Sequence, residues 1–131
     1  MADSKKIILL EDDKASARLL SAFLESKGYE VQESYEGRFA IELALREPPD
    51  LMIVDVLLPD MHGSEAVKKL TAIDRMHDLK VLFLTSLLSK SGDSGKVTRL
   101  KVAGKEYPAL AKPFKPASLE EVISSILAGD N

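Results

Sequence analysis

The stretch Ile7-Ile8-Leu9-Leu10-Glu11-Asp12-Asp13 joins four apolar residues directly to three acidic ones. The apolar run has the length of a buried β-strand, and the acidic residues mark the point where that strand reaches the surface. Two adjacent carboxylates repel each other by about 1 kcal/mol in bulk water, and by about 4 kcal/mol at an effective dielectric constant of about 20. Because a hard divalent cation would turn this repulsion into attraction, the junction is a candidate metal site.

Apolar runs of strand length recur along the chain and alternate mostly with segments of helical period. One such run, Leu51-Met52-Ile53-Val54, suits a parallel strand, because a strand covered by helices on both faces needs apolar side chains on both. We therefore predict an α/β fold, with five strands near residues 6–10, 29–32, 51–54, 81–84 and 107–111.

Helix signals lie between these strands. Gly28 and the pair Pro48-Pro49 are placed to end two helices, and the capping box Ser118-Leu119-Glu120-Glu121 would begin the last one. Serine and glycine residues dilute any helical pattern between Thr85 and Tyr107, so the fourth helix is predicted to be atypical or partly disordered. The other helices are predicted over residues 14–27 and about 36–46, from Gly63 or Ser64 onward, and after Ser118.

Length and composition bound the possible functions. A chain of 131 residues is long enough for one compact domain, predicted over residues 5–128 with short termini at 1–4 and 129–131. Its 18 basic and 21 acidic residues leave a net charge of −3, so we expect no direct binding to nucleic acid or to a membrane. Cysteine is absent, which excludes disulfides and thiol catalysis, and no apolar stretch is long enough to span a bilayer. These features predict a cytoplasmic protein.

Several polar residues directly follow the predicted strands. In doubly wound sheets, functional groups collect at the carboxyl ends of the parallel strands. Besides the acidic triplet, those ends carry Asp55, Thr85 and Lys112. Magnesium prefers oxygen ligands and is often bound by one or two carboxylates together with a phosphate, so Glu11, Asp12 and Asp55 could hold it.

Asp55 has the central position in this set. A carboxylate can attack phosphorus and form an aspartyl phosphate when the incoming charge is neutralised. The Thr85 hydroxyl could bind one phosphoryl oxygen while the Lys112 ammonium pairs with another. The sequence therefore contains the parts of a phosphoryl-transfer site.

These residues resemble the receiver domain of two-component response regulators, over nearly the whole chain. The family has proline four residues and glycine eight residues after its phosphorylated aspartate, and Pro59 and Gly63 hold those positions after Asp55. Thr85 lies at the family's hydroxyl position, and Lys112-Pro113-Phe114 matches its Lys-Pro-Phe signature. The resemblance implies a flavodoxin-like (βα)5 fold with a doubly wound parallel sheet of strand order 2-1-3-4-5.

The resemblance also implies a function and a set of ligands. Asp55 would accept a phosphoryl group from a histidine kinase or a phosphotransfer protein, and the Lys112–Pro113 peptide bond would be cis. As in stand-alone chemotaxis-type receivers, a downstream protein target would bind the face made by the fourth helix, the fifth strand and the fifth helix. The protein would be a signalling domain that catalyses only its own phosphorylation and dephosphorylation. Mg²⁺ would be held by three carboxylates and one backbone carbonyl, those of Glu11, Asp12, Asp55 and Leu57.

Two registers are open for the acidic residues, because either Glu11-Asp12 or Asp12-Asp13 could be the metal-binding pair. We favour the first, since the family has four apolar residues before its acidic pair and residues 7–10 fill those places. Asp13 would then cap the first helix, where a carboxylate accepts hydrogen bonds from free amides.

Three departures from the family pattern bear on signalling. The aromatic residue expected three positions before Lys112 is replaced by Ala109, and Tyr107 lies two residues earlier on the same predicted strand face. The segment before Lys112 is also longer than is typical of the family. The two positions that commonly modulate dephosphorylation are Leu57 and Leu87. Because apolar side chains cannot orient an attacking water, we predict a long-lived phosphorylated state.

Other functions stay open from the residues alone. Ala109 and the serine- and glycine-rich segment would also suit a protein-interaction module that keeps the receiver fold but signals without phosphorylation. An aspartate-nucleophile phosphatase is disfavoured, because its second aspartate would stand where Leu57 lies. The oligomeric state is open, as is whether the chain is a complete protein or a domain of a longer one. Five basic residues predict either a solvated face or a docking surface for an acidic partner: Lys90, Lys96, Arg99, Lys101 and Lys105.

Overall fold

The computed structural model describes residues 4–86 and 97–129 of the chain. Strands and helices alternate through most of this length. In chain order, the elements are β1 (Lys6–Leu10), α1 (Lys14–Ser26), β2 (Glu30–Ser34), α2 (Gly37–Arg46), β3 (Leu51–Asp55), α3 (Gly63–Thr71), a short 3-10 helix (Asp74–Met76), β4 (Val81–Thr85), β5 (Val97–Val102), β6 (Lys105–Ala111) and α4 (Pro116–Leu127).

These strands form one sheet in the order β2-β1-β3-β4-β6-β5. The first five strands in this order are parallel, and β5 joins the far edge antiparallel to β6. All residues of β3 and β4 are buried, because helices cover both faces of the sheet. The predicted doubly wound α/β fold is confirmed.

Two apolar layers hold the helices on the sheet. Alternate residues of β1 serve each layer: Ile8 and Leu10 pack with α2 and α3, whereas Ile7 and Leu9 pack with α1 and α4. Full burial of such a side chain contributes roughly 1.5–3 kcal/mol relative to exposure, so these layers supply most of the stability of the fold. Among the described residues, no helix is long and apolar enough to cross a membrane.

The starts of α1 and α4 test two predicted caps. Asp13 caps α1 as predicted, because its carboxylate accepts hydrogen bonds from Ala15 N at 3.3 Å and from Ser16 Oγ at 2.7 Å. The predicted capping box at Ser118 is wrong, since α4 begins two residues earlier, at Pro116, without a side-chain cap. Proline has φ fixed near the helical value. At the first helical position its missing N–H costs no hydrogen bond within the helix, so Pro116 is a favourable first residue for α4.

The sheet edge beyond β4 differs from the prediction. The five parallel strands follow the expected order, with β6 in fifth place, but the sheet has a sixth strand, β5, within the segment where we predict a fourth helix. From Val97 onward the sequence alternates between faces, with Leu100 and Val102 turned inward, and this period of two suits a strand and not a helix. The remainder of the predicted helix, residues 87–96, lies outside the described residues.

A two-residue turn joins β5 to β6. Ala103 and Gly104 have φ values of 51° and 83°, which is the pair of positive values that a type I′ turn requires. Glycine adopts this conformation freely, whereas it costs a residue with a Cβ roughly 1–2 kcal/mol. The hairpin therefore forms in spite of local strain at Ala103.

Replacing Ala103 with asparagine should stabilise the protein. Asparagine tolerates positive φ better than alanine, and Asn-Gly is a preferred type I′ pair, so we expect the free energy of unfolding to rise by about 0.5–1 kcal/mol. Urea denaturation followed by circular dichroism measures the change. The control Ala128→Asn makes the same exchange at an exposed residue with φ of −80°, and should change stability by less than about 0.5 kcal/mol. Equal effects of the two substitutions would contradict the turn assignment.

Candidate functional site

The carboxyl ends of four parallel strands meet at one edge of the sheet. Asp55 ends β3 and Thr85 ends β4, while Glu11 and Lys112 directly follow β1 and β6. The Lys112 amide donates to the Thr85 carbonyl at 2.8 Å, which ties the end of β6 to the end of β4. The parallel register therefore brings together four residues that lie far apart in the sequence.

The Lys112 ammonium lies between two carboxylates of this group. Its Nζ is 2.9 Å from Glu11 Oε1 and 2.9 Å from Asp55 Oδ2. The exposed fraction is 2% for the Glu11 side chain, 12% for Asp55 and 30% for Lys112, so both ion pairs are largely shielded from solvent. Charge-assisted hydrogen bonds of this kind are stronger than neutral ones. One cation thus compensates two buried carboxylates.

Burial and charge act in opposite directions on these groups. Burial raises the pKa of the Glu11 carboxyl, and it outweighs the lowering by Lys112 and by the Asp13 amide, which donates to Glu11 Oε2 at 3.2 Å. Burial alone would lower the pKa of Lys112, but the hydrogen bonds to Asp55 and Glu11 outweigh it and raise that pKa. Lys112 is therefore a cation throughout the physiological pH range.

Three carboxylates form a group that fits a metal ion. Glu11, Asp12 and Asp55 each offer one oxygen, and these atoms lie within 4.8 Å of one another. Asp12 is exposed while the other two residues are buried, so the group is open to solvent on one side. Asp13 is engaged in capping α1, which favours Glu11-Asp12 over Asp12-Asp13 as the metal-binding pair. Hard oxygen donors on a half-open surface fit Mg²⁺, which usually keeps several waters.

The loop between β3 and α3 also contacts the Asp55 carboxylate. Leu57 N donates to Asp55 Oδ1 at 3.1 Å, so each carboxylate oxygen of Asp55 has a hydrogen-bond donor. Gly63 begins α3, and its amide donates to the Val56 carbonyl at 2.7 Å. A Cβ at Gly63 would collide with the Asp55 carbonyl oxygen, so only glycine fits there. Pro59 lies within the loop that these contacts close.

Asp60, in the same loop, makes a contact that the sequence does not reveal. Its Oδ1 accepts a hydrogen bond from Gly37 N at 2.8 Å, and its Oδ2 accepts one from Arg38 N at 3.0 Å. Glu36, the residue before α2, makes no side-chain cap, so Asp60 caps that helix from the neighbouring loop. Desolvation raises the pKa of Asp60, but the amide hydrogen bonds outweigh it and leave the pKa below its usual value. The partners are 23 residues apart, so no local pattern could have indicated this cap.

At the position where the family has an aromatic residue, this chain has Ala109, and Tyr107 lies two residues earlier. Tyr107 and Ala109 are both buried in the layer that packs on α2 and α3, which confirms that they share a strand face. The Tyr107 ring packs edge-on against Phe83, with ring centroids 6.0 Å apart and an interplanar angle of 82°. Burial raises the pKa of the Tyr107 hydroxyl. Ala109 pairs with Phe83 across β4 and β6, so a small residue lies beside a large one.

The remaining predicted residues are placed as follows. Thr85 is buried at the end of β4, with 3% of its surface exposed. The Lys112–Pro113 peptide bond is cis, as the resemblance implies. The Leu57 side chain is 48% exposed beside Asp55, so solvent reaches it freely. Leu87 lies outside the described residues.

Comparison with known sequences gives a consistent result. The family model of the response regulator receiver domain matches residues 7–124. The chain is 36% identical over 113 residues to the regulatory protein VanRc of Enterococcus gallinarum, which covers 86% of this chain and 46% of that protein. It is 32% identical over 125 residues to the alkaline phosphatase synthesis transcriptional regulatory protein PhoP of Bacillus subtilis (strain 168). This match covers 95% of this chain and 49% of that protein. The chain thus spans about half the length of these curated relatives.

Solved structures show the same architecture. The chemotaxis protein CheY4 of Vibrio cholerae matches with a TM-score of 0.79 and 26% identity, covering 95% of this chain and 99% of that one. The receiver domain of a signal transduction histidine kinase from Syntrophus aciditrophicus matches with a TM-score of 0.77 and 27% identity, covering 96% and 92%. The receiver domain of the sensor histidine kinase PA1611 of Pseudomonas aeruginosa PAO1, which has a magnesium ion in its active site cleft, matches with a TM-score of 0.78 and 24% identity, covering 96% and 99%. This last likeness concerns the fold alone.

The fold and the charged strand edge define a receiver-type α/β signalling domain. The chain belongs to the response regulator receiver domain family. Receiver domains are the phosphoacceptors of two-component systems, and this assignment agrees with the acidic group at the carboxyl edge of the sheet.

Removing the Asp60 carboxylate should weaken the contact between the β3–α3 loop and α2. Asp60→Ala deletes a helix cap, so we expect a loss of about 1 kcal/mol in the free energy of unfolding at pH 7. Because the pKa of Asp60 is lowered in the folded state, its contribution is present above the unfolded-state pKa and is lost as the pH falls through the folded-state pKa. The difference between the two proteins should therefore shrink on acidification, as measured by urea denaturation at several pH values.

Glu36→Ala serves as the control for this prediction. Glu36 precedes α2 but makes no side-chain cap, so its replacement should change stability little. A loss in Glu36→Ala as large as that in Asp60→Ala, or a difference that does not depend on pH, would contradict the assigned cap.

Proposed function

We propose that this chain accepts a phosphoryl group on Asp55 from a phosphohistidine donor, with Mg²⁺, and that phosphorylation changes its binding to a protein partner. One observation carries the proposal. Asp55 Oδ1 lies 3.1 Å from Leu57 N, Asp55 Oδ2 lies 2.9 Å from Lys112 Nζ, and the same carboxylate belongs to the acidic group that fits magnesium. A nucleophilic carboxylate, a cation and metal ligands at one open strand edge are what phosphoryl transfer to aspartate requires.

Each residue of the site has a proposed task. A carboxylate oxygen of Asp55 forms the new bond to phosphorus while the bond from phosphorus to the donor's imidazole nitrogen breaks, and the electrons of that bond return to the imidazole. Lys112 pairs with one phosphoryl oxygen, and the Thr85 hydroxyl donates to another. Mg²⁺, when bound, neutralises charge on the transferred group. Its ligands would be three carboxylates and one backbone carbonyl, those of Glu11, Asp12, Asp55 and Leu57.

The donor and the output partner follow from the same proposal. A histidine kinase or a phosphotransfer protein would supply the phosphoryl group in the cytoplasm, to a receiver domain that comprises residues 5–128. The chain would catalyse only its own phosphorylation and dephosphorylation. A downstream protein target would bind the face made by β6, α4 and β5, because β5 occupies the described part of the segment in which a fourth helix is predicted.

A second candidate is a receiver-fold module that binds partners without being phosphorylated. The small Ala109 at the expected aromatic position and the β5–β6 hairpin favour it. The ion pairs of Lys112 with Glu11 and Asp55 favour phosphorylation, because buried charges are costly to keep and are often retained for a function.

Incubation with Mg²⁺ and acetyl phosphate, followed by intact-mass measurement, discriminates the two candidates. We expect the mass to rise by one phosphoryl group, and we expect no gain in Asp55→Asn or after chelation of Mg²⁺. Asp12→Asn should reduce the gain strongly, because it removes a metal ligand. The matched control Asp13→Asn should retain it, since asparagine also caps helices. An unchanged mass in the wild-type protein would favour the unphosphorylated module.

A polar residue at position 57 should shorten the lifetime of the phosphorylated state. Leu57 is half exposed beside Asp55, and its apolar side chain cannot orient a water for attack on phosphorus. We expect Leu57→Gln to accelerate the loss of the phosphoryl group several-fold, as followed by intact mass after the donor is removed. The control Ile73→Gln changes another partly exposed apolar residue, and this variant should lose its phosphoryl group at the wild-type rate. No acceleration in Leu57→Gln would refute this explanation of the lifetime.

A further inference from the structure

Within residues 4–86 and 97–129, β5 is the last strand at its side of the sheet, and none of these residues pairs with its outer edge. A strand edge of this kind presents unpaired backbone donors and acceptors, which can bind another extended segment. Residues 97–101 are exposed or half exposed along this edge, and only Val102 is buried. The side chains of this strand are therefore mostly open to solvent.

The hairpin determines which backbone groups face outward. In a hairpin with a two-residue turn, the closing pair is hydrogen-bonded, and here it consists of Val102 and Lys105. Bonded and non-bonded pairs then alternate, so the amide and carbonyl groups of Arg99 and Lys101 point away from β6. Pro108 lies opposite Arg99, at a non-bonded position where its missing N–H costs no hydrogen bond to β5.

The same two residues give the edge its charge. Arg99 and Lys101 are both exposed, and their spacing places their side chains on one face of the strand. Lys105 at the turn is already engaged, since its Nζ lies 4.0 Å from Asp78 and 3.1 Å from the His77 carbonyl. Glu106 lies opposite Lys101 on β6, so Arg99 is the less compensated of the two cations.

The sheet face that carries the Arg99 side chain is also turned toward α4. A groove of about 330 Å³ lies there, with Val97, Arg99, Pro108 and Val122 among its lining residues. The groove also contains Glu121, so an acidic side chain that enters it meets Arg99 on one wall and a like charge on another. Charge complementarity is therefore strongest along β5 itself, opposite Arg99 and Lys101.

We infer that the outer edge of β5 binds an extended acidic segment of a partner protein by strand addition. A second copy of this chain is disfavoured, because pairing two β5 edges would bring Arg99 and Lys101 beside the same cations of the other copy. Glutamate or aspartate at alternate positions of an added strand would instead face these cations. Binding needs no phosphorylation, so this inference can fail while the proposed role of Asp55 stands.

The test uses the full chain and a fluorescein-labelled seven-residue peptide in which glutamate alternates with valine. Fluorescence anisotropy should show binding to the wild-type protein and to Asp55→Asn, and little binding of a matched peptide with lysine in place of glutamate. Arg99→Glu with Lys101→Glu should weaken binding of the glutamate peptide by about tenfold and favour the lysine peptide. The control, Lys5→Glu with Arg46→Glu, makes the same change in net charge at exposed residues outside β5 and should bind like wild type.

Amide hydrogen exchange, measured by NMR on the same samples, reports the geometry. Strand addition should slow the exchange of the Arg99 and Lys101 amides when the peptide is bound. The inference is overturned by no binding, by equal binding of both peptides, by equal weakening in the control variant, or by binding that leaves those amides unprotected. Protection that rises with protein concentration in the absence of peptide would also overturn it, in favour of a second copy. If the double glutamate variant loses its circular dichroism signal, Arg99→Gln with Lys101→Gln replaces it.

Discussion

The double ion pair of Lys112 with Glu11 and Asp55 is the constraint on which the site depends. Two carboxylates at the ends of neighbouring buried strands repel each other strongly at low dielectric, and each needs a nearby cation to stay charged. Lys112 supplies that cation from 101 residues beyond Glu11. The strand order makes this contact possible, because β1, β3, β4 and β6 are successive neighbours whose carboxyl ends form one row.

The backbone around Asp55 is held as closely as its side chain. Gly63 allows α3 to begin directly against the Asp55 carbonyl, and Asp60 ties the intervening loop to the start of α2. Leu57, whose amide donates to Asp55 Oδ1, lies in the same loop, between Asp55 and Asp60. Groups that are positioned before a reaction need no reorganisation during it, which is the main source of electrostatic catalysis. The loop therefore fixes the position of Asp55 through its packing as well as through its hydrogen bonds.

Much of this arrangement could be predicted because its signals are local. The apolar runs that end at Leu10 and Val54 indicate buried strands, and the acidic residue after each run indicates a strand end. The Asp60 cap could not be predicted, since each partner taken alone has the sequence of an ordinary turn or helix start. The β5–β6 hairpin is missed for a different reason. Its alternating segment has only six residues, and the expectation of a helix came from the alternation of strands and helices along the chain and not from the period of the segment itself.

The hairpin affects how the proposed phosphorylation of Asp55 would be transmitted to the surface of the protein. The Tyr107 ring is buried against Phe83, and emptying the space of an aromatic side chain in a core costs about 3–5 kcal/mol, so an outward swing of this ring is expensive. A shift of β6 is a less costly way to transmit a change from the site to β5 than an outward movement of the Tyr107 ring. The carboxyl end of β6 is bonded to the Thr85 carbonyl through Lys112 N, and Tyr107 on the same strand pairs with Leu100 of β5.

Contact between neighbouring strands does not by itself establish that two sites are coupled. Coupling also requires an element with two arrangements, and a change at either site must alter the balance between them. β5 has the fewest buried residues of the strands on this side of the sheet, and among the described residues it has a hydrogen-bonded neighbour on one side only. It is therefore the strand that can shift at least cost when Thr85 or Lys112 moves. Since the same strand carries Arg99 and Lys101, a shift in β6 would change the geometry of the basic edge directly, without an aromatic residue at position 109.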